Sequence, residues 1–147
     1  MSIILILIPF LAAFAILAGL AKARSIATIA ASANLLLGLG TVFCWKASIW
    51  DLSWKVLSKP NIHLSLGFYD GMSLVMVILS VLVLFAAVMS GKCPEGRDKL
   101  WYSSILLIGA GGLGAFLSTD LFFFYAFHEL ALIPTFLMIG ILGSGDR

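Results

Sequence analysis

The sequence predicts an all-α integral membrane protein of about five transmembrane helices, with a β-hairpin on the membrane surface between the second and third. Three observations support this fold class: a composition of 62% hydrophobic and only 11% charged residues, a series of long apolar runs, and one loop in which apolar and polar residues alternate. Soluble domains carry about 25% charged residues, so this chain cannot build a water-facing surface. A net charge of +2 also gives no basic surface for nucleic acid.

The apolar runs define the predicted helices, since a membrane-spanning helix needs about 20 mainly apolar residues. We treat the chain, 1–147, as a single membrane domain with spans at about 3–20, 25–44, 72–89, 100–117 and 121–142. Thr119 or Asp120 is expected to cap the start of the fifth helix. No basic segment precedes the first run, so we expect it to remain in the mature protein rather than to be cleaved as a signal peptide.

The distribution of basic residues predicts the orientation. If the spans alternate in direction, six basic residues lie on one face and three on the other: Lys22, Arg24, Lys92, Arg97, Lys99 and Arg147 against Lys46, Lys55 and Lys59. The positive-inside rule then places the N-terminus outside and Arg147 in the cytoplasm. We expect a multi-pass protein of a bacterial inner membrane.

The long outer loop has a period of two on both sides of a turn. Apolar residues alternate with polar ones from Trp50 to Val56 and again from Ile62 to Phe68, with Pro60-Asn61 between them. This pattern predicts a β-hairpin over about 49–68, whose tryptophans suit the lipid headgroup region. A surface amphipathic helix is the competing interpretation, but Pro60 would divide it.

Glu129 is the principal candidate for chemistry. It lies near the centre of the fifth span, about 3 to 4 Å from the midplane at 1.5 Å per residue. A carboxylate there costs about 3 kcal/mol to insert, so it pairs with a cation, stays protonated or exchanges protons. None of the predicted spans contains a lysine or arginine at such a depth, so a partner must come from elsewhere. The alternative is a neutral glutamic acid that holds helices together.

Two neighbours of Glu129 bear on this interpretation. Pro134 has no N–H, which deprives the Leu130 carbonyl of its helical partner and predicts a kink within a turn of Glu129. His128 is turned about 100° from Glu129. It could relay protons, but a neutral ring packed against a neighbour is the favoured interpretation.

The fourth span contains Gly109-Ala110-Gly111-Gly112-Leu113-Gly114, which satisfies the pattern G-x-G-x-x-G. A dinucleotide site requires that pattern between a strand and a helix of a βαβ unit, whereas here it lies within an apolar helix. We therefore predict close helix–helix packing through small residues. The sequence shows no zinc-type spacing of Cys and His, so no metal site is predicted.

With these residues in view, the chain resembles the antiporter-like membrane-arm subunits of respiratory complex I, the subunit M (mitochondrial chain 4) family of NADH:quinone oxidoreductases. Two segments carry the resemblance: Gly67-Phe68-Tyr69-Asp70-Gly71-Met72-Ser73-Leu74 before the third span, and Phe124 to Pro134, which is similar to the family's aromatic–Glu–Leu–x–Leu–Ile–Pro signature. Family members have about fourteen spans, so the resemblance covers only their N-terminal part.

The resemblance implies a function. Glu129 matches the glutamate that works in the family with lysines on later, broken helices to translocate protons, coupled to quinone reduction. His128 stands where relatives often have tryptophan, so no role transfers to it. The chain would be an enzyme component only as a non-redox subunit: it would bind no cofactor itself, while the complex uses NADH and quinone. Its partners would be the other membrane-arm subunits, a chain supplying the missing helices, and the lipid bilayer.

Two alternatives from other functional classes remain open. One is a small, independent proton-coupled transporter that works as a homo-oligomer with Glu129 as its acid. The other is a structural or assembly membrane subunit. Within the resemblance, protons or sodium ions as cargo, the identity of the quinone, and a related hydrogenase or antiporter assembly are alternatives as well.

Overall fold

The computed structural model describes residues 2–20, 22–43, 52–58, 61–67, 71–91, 93 and 96–143. Its helices are α1 (Ser2–Leu17), α2 (Ala23–Phe43), α3 (Gly71–Ser90), α4 (Asp98–Leu117) and α5 (Leu121–Leu137), and α5 continues into a π turn, Met138–Leu142. Four segments of the described residues are long and apolar enough to cross a membrane, the last formed by α5 and its π turn. The chain is a multi-pass membrane protein.

The first helix is shorter than the predicted span. It ends at Leu17, and Gly19 follows in the left-handed region with φ 74°. With 16 residues, α1 is about 24 Å long at 1.5 Å per residue, less than the roughly 30 Å of a bilayer's hydrocarbon core. The other predicted bounds agree with the helices to within about two residues, apart from the π turn.

Two short strands occupy the loop between α2 and α3. They are β1 (Leu52–Ser58) and β2 (Asn61–Leu66), and they pair antiparallel from Leu52 opposite Leu66 to Ser58 opposite Asn61. The end of β2 is attached to the helices, since the Gly67 N–H donates to the Leu117 carbonyl at 3.0 Å. Leu66 is only 1% exposed and packs under the end of α4.

Two groups of buried side chains mark the two ends of the bundle. One joins the end of α1 with the starts of α2 and α4 and the end of α3, as the positions of Ile16, Ala27, Val88 and Tyr102 show. The other joins the opposite ends of α1, α3 and α4 around Leu5, Val77 and Leu117. Successive helices α1 to α4 therefore run in alternating directions, the arrangement that the orientation prediction assumes.

Close approach between helices depends on the glycines of α4, as predicted. A Cβ at Gly109 would lie 2.7 Å from the Leu84 side chain of α3. A Cβ at Gly111 would lie 2.7 Å from the carbonyl oxygen of Phe127 in α5, and one at Gly114 would overlap the Phe127 ring. The helix-packing interpretation of the glycine pattern is thereby confirmed.

Asn34 is a buried polar residue whose amide makes no hydrogen bond with the described residues. It is 0% exposed on α2, and neither Nδ2 nor Oδ1 has a hydrogen-bond partner among the described residues. Leaving a buried polar group unsatisfied costs about 1–3 kcal/mol. Asn34 therefore reduces the stability of the bundle.

We expect Asn34→Leu to raise the stability by about 1–3 kcal/mol, because leucine has the same branching and the same number of side-chain heavy atoms without the polar atoms. Thr41→Val is the matched control: Thr41 is buried in the same helix, but its hydroxyl donates to the Gly38 carbonyl at 2.6 Å. That control should be neutral or destabilising. Thermal unfolding in detergent measures both, and a lower midpoint for Asn34→Leu would show that the amide has a partner.

Candidate functional site

Glu129 lies in the middle of α5, and its position follows from how that helix begins. Asp120 caps the helix, since its side chain accepts a hydrogen bond from the Phe122 N–H at 2.8 Å. Of the two predicted capping residues, the structure selects Asp120. The segment from Leu121 to Leu142 has 22 residues, and Glu129 is eight residues from its start.

The side of α5 that packs against α4 is defined by Phe127 and Ala131, which lie against Gly111 and Gly114. Pro134, one turn further, is buried as well. At 100° per residue, Glu129 is turned about 200° from Phe127. Glu129 therefore points away from the bundle formed by this chain.

The outward side of α5 is exposed and apolar apart from this acid and the Tyr125 hydroxyl. The exposed fractions include 58% for Phe122, 58% for Tyr125 and 75% for Phe136. Glu129 is exposed too, and together with Leu121, Phe122, Tyr125 and Ala126 it lines a shallow depression of about 410 Å³. Within the described part of the chain, no cation or hydrogen-bond donor contacts its carboxylate. A carboxyl group on a membrane-facing surface that offers it no cation requires a covering partner or a proton.

His128 does not share the surface of Glu129. Its imidazole ring stacks on the Phe124 ring, with the centroids 6.4 Å apart and the planes at 18°. Both residues are exposed. This ring contact lies within α5 itself, one turn toward the start of the helix.

The helix continues through Pro134 without a break. Residues remain α-helical to Leu137, and the hydrogen-bond pattern changes only in the π turn that follows. The Arg97 guanidinium, at the start of α4, donates to the Ile141 carbonyl in that turn. The irregular backbone thus lies at the end of the helix, stabilised by a residue 44 positions away, and this contact has no signal in the sequence.

A second group of chemistry-bearing residues was not recognised from the sequence. Four of these residues, Arg24, Cys93, Asp98 and Tyr102, line a cavity of about 550 Å³ where α2 and α4 begin and α3 ends. Burial and a hydrogen bond to Asp98 raise the pKa of the Cys93 thiol to about 11, so it remains protonated at neutral pH. No three His, Cys, Asp or Glu side chains converge as a metal site in the described ranges.

No family model matches the chain, but individual curated proteins do. It is 30% identical over 150 residues to NAD(P)H-quinone oxidoreductase chain 4 1 of Synechococcus sp. (strain JA-3-3Ab), an alignment that covers 97% of this chain and 28% of the relative. It is 32% identical over 127 residues to NADH-quinone oxidoreductase subunit M of Rhodobacter capsulatus, covering 86% and 24% respectively.

The subunit M of Escherichia coli (strain K12) is a third such relative. It is 32% identical over 100 residues, which cover 67% of this chain and 19% of that protein. The chain thus spans about a quarter of the length of the curated relatives that it matches. The predicted resemblance is confirmed: the chain belongs to the subunit M, or chain 4, family of the NAD(P)H-quinone oxidoreductases.

Proposed function

We propose that the chain acts in the membrane arm of an NADH:quinone oxidoreductase, where Glu129 takes part in proton translocation coupled to quinone reduction. The single observation that carries this proposal is the placement of Glu129 in the middle of α5 on the side opposite α4. A group that served only to hold this bundle together would face the bundle. A group that exchanges protons with a neighbouring element faces outward, where that element can pack.

The names of the relatives support the same assignment, since they are components of NAD(P)H-quinone oxidoreductases. In our proposal NADH and quinone are used elsewhere in the complex, and this chain binds neither. The cation that pairs with Glu129 would come from membrane helices outside the described residues, in the same or another polypeptide. Other membrane-arm subunits would complete the assembly.

The proposed placement in the membrane has five spans, with α1 as the shortest and the two strands on the outer membrane surface. Described basic residues collect where α1 ends and where α2 and α4 begin: Lys22, Arg24, Arg97 and Lys99. By the positive-inside rule, this end faces the cytoplasm and the N-terminus faces outward. We propose a bacterial inner membrane as the location.

The outward position of Glu129 also suits a homo-oligomeric transporter, in which two copies share a cavity around the acid. Purification of the natively expressed chain in mild detergent, with mass spectrometry of the associated proteins, separates the two functions. Recovery of other subunits of a quinone oxidoreductase is the result that we expect. Recovery of the chain alone, or with only copies of itself, would overturn the respiratory proposal and favour the independent transporter.

A further inference from the structure

The cavity where α2 and α4 begin and α3 ends is distinct from the Glu129 site, which lies in the middle of α5. It is lined by Arg24 at the start of α2, Met89 to Gly91 at the end of α3, Cys93, and Asp98 and Tyr102 at the start of α4. All three apolar segments end at this level. In a bilayer the cavity therefore lies where hydrocarbon gives way to the lipid headgroups.

The basic residues around this cavity differ in what they contact. Arg97 donates to the Ile141 carbonyl beyond α5. Lys99 extends toward the end of α1, where its Nζ would lie 2.9 Å from a Cβ placed on Gly19. The Arg24 guanidinium, by contrast, makes no hydrogen bond or ion pair with the described residues, and it lines the cavity. Among the described residues, Arg24 is therefore the cation that lines the cavity and can pair with a bound molecule.

Tyr102 gives a second, independent indication of a ligand. Only 3% of the residue is exposed, it lines the cavity, and its hydroxyl has no hydrogen-bond partner in the part of the chain that the structure describes. A tyrosine hydroxyl that no described residue binds can donate a hydrogen bond to a ligand in the cavity. The Asp98 carboxylate, which accepts a hydrogen bond from the Cys93 thiol, adds a negative group to the same cavity.

We propose that this cavity binds the headgroup of a phospholipid that carries both a phosphate and a primary ammonium, as phosphatidylethanolamine does. The Arg24 guanidinium and the Tyr102 hydroxyl donate to the phosphate oxygens, and the ammonium donates to the Asp98 carboxylate. A guanidinium matches phosphate geometry with paired donors. An anionic headgroup without the ammonium would leave Asp98 beside the lipid phosphate, where the two negative charges repel each other. Met89, which is 43% exposed, offers an apolar contact to the start of an acyl chain.

Native mass spectrometry of the full chain tests this assignment. The protein is purified in mild detergent with equal amounts of phosphatidylethanolamine and phosphatidylglycerol. We expect one phosphatidylethanolamine to be retained preferentially. Arg24→Gln should lower that retention about tenfold, the change for one lost charge-assisted hydrogen bond, and Asp98→Asn should remove the preference over phosphatidylglycerol. Lys22→Gln is the matched control. It also removes one positive charge, but the Lys22 side chain, two residues before Arg24, does not line the cavity.

The proposal fails if Lys22→Gln reduces retention as much as Arg24→Gln, because binding would then follow general surface charge. It also fails if millimolar inorganic phosphate displaces the lipid, which would identify a site for a free anion, or if the two lipids are retained equally by the unmodified chain. Circular dichroism of each variant shows whether it folds.

A measurement on the unmodified cavity remains informative even if Arg24→Gln does not fold. In a Cys44→Ser background, Cys93 is the one thiol in the chain, and it lines the cavity. A bound headgroup covers Cys93, so a tenfold preference for phosphatidylethanolamine should make maleimide labelling about tenfold slower in nanodiscs of that lipid than in phosphatidylglycerol nanodiscs. Equal labelling rates would overturn the assignment.

Discussion

Glu129→Gln is expected to reduce proton translocation by about 100-fold or more, within the range for loss of a positioned proton-transfer group, while the complex still assembles. Glutamine keeps the shape of glutamate but cannot take up and release a proton at the operating pH. Glu129 is exposed and faces away from α4, so no packing within this chain is lost. Quenching of a pH-sensitive dye in inverted vesicles measures translocation, and native electrophoresis measures assembly.

Two companion variants make that result specific. Glu129→Asp keeps a carboxyl group and should retain part of the activity. His128→Gln changes the adjacent residue, whose ring stacks on Phe124, and should leave translocation near the unmodified level. Normal translocation in the assembled Glu129→Gln complex would remove Glu129 from the mechanism and leave a structural role. Loss of assembly instead of transport would support the assembly-subunit alternative.

Gly111→Ala is expected to lower the stability of the bundle, whereas alanine at the neighbouring Gly112 should not. The new Cβ would lie 2.7 Å from the Phe127 carbonyl oxygen and 2.9 Å from the Ala131 side chain. The oxygen belongs to the α5 backbone, so it cannot move aside as a flexible side chain can. Overpacking of this kind costs about 1–3 kcal/mol, which corresponds to a fall of roughly 2–4 °C in the unfolding midpoint per kcal/mol for a chain of this size.

Gly112→Ala is the matched control in the next position of the same helix. A Cβ at Gly112 meets nothing within 4 Å, so the substitution should be neutral, or stabilising by up to about 1 kcal/mol because alanine favours helix more than glycine does. Thermal unfolding of the two variants in the same detergent gives the comparison. If both variants lose the same stability, the cost would arise from the helix itself and not from contact with α5.

Much of the fold could be predicted because it depends on local sequence. The apolar runs define α2 to α5, because in lipid a single chain segment can satisfy its own backbone hydrogen bonds only as a helix. The end of α1 was missed by three residues, because Ala18 and Leu20 are apolar and the left-handed backbone of Gly19 is what ends the helix. The bounds of α5 were predicted, but its π turn was not, since it is supported by Arg97 from another loop.

Of the two candidate sites, the one that depends on local sequence was predicted and the one that depends on packing was not. A carboxyl group in the middle of an apolar run is visible in the sequence, because the cost of inserting it depends only on depth along one helix. The residues around Arg24, Asp98 and Tyr102 were not recognised as a group, because they come from helices whose ends meet only in the folded bundle. The isolated amide of Asn34 is also invisible until its neighbours are known.

The sequence by itself determined that this protein lies in a membrane, where its helices run, which acid sits at mid-depth and which family it resembles. These properties depend on hydrophobicity along one segment at a time and on motifs read in order. Only the tertiary structure decided that Glu129 faces away from the bundle, since that direction is set by which side of α5 packs against Gly111 and Gly114. Packing between helices decides which side of α5 faces the bundle, and the periodicity of one helix does not.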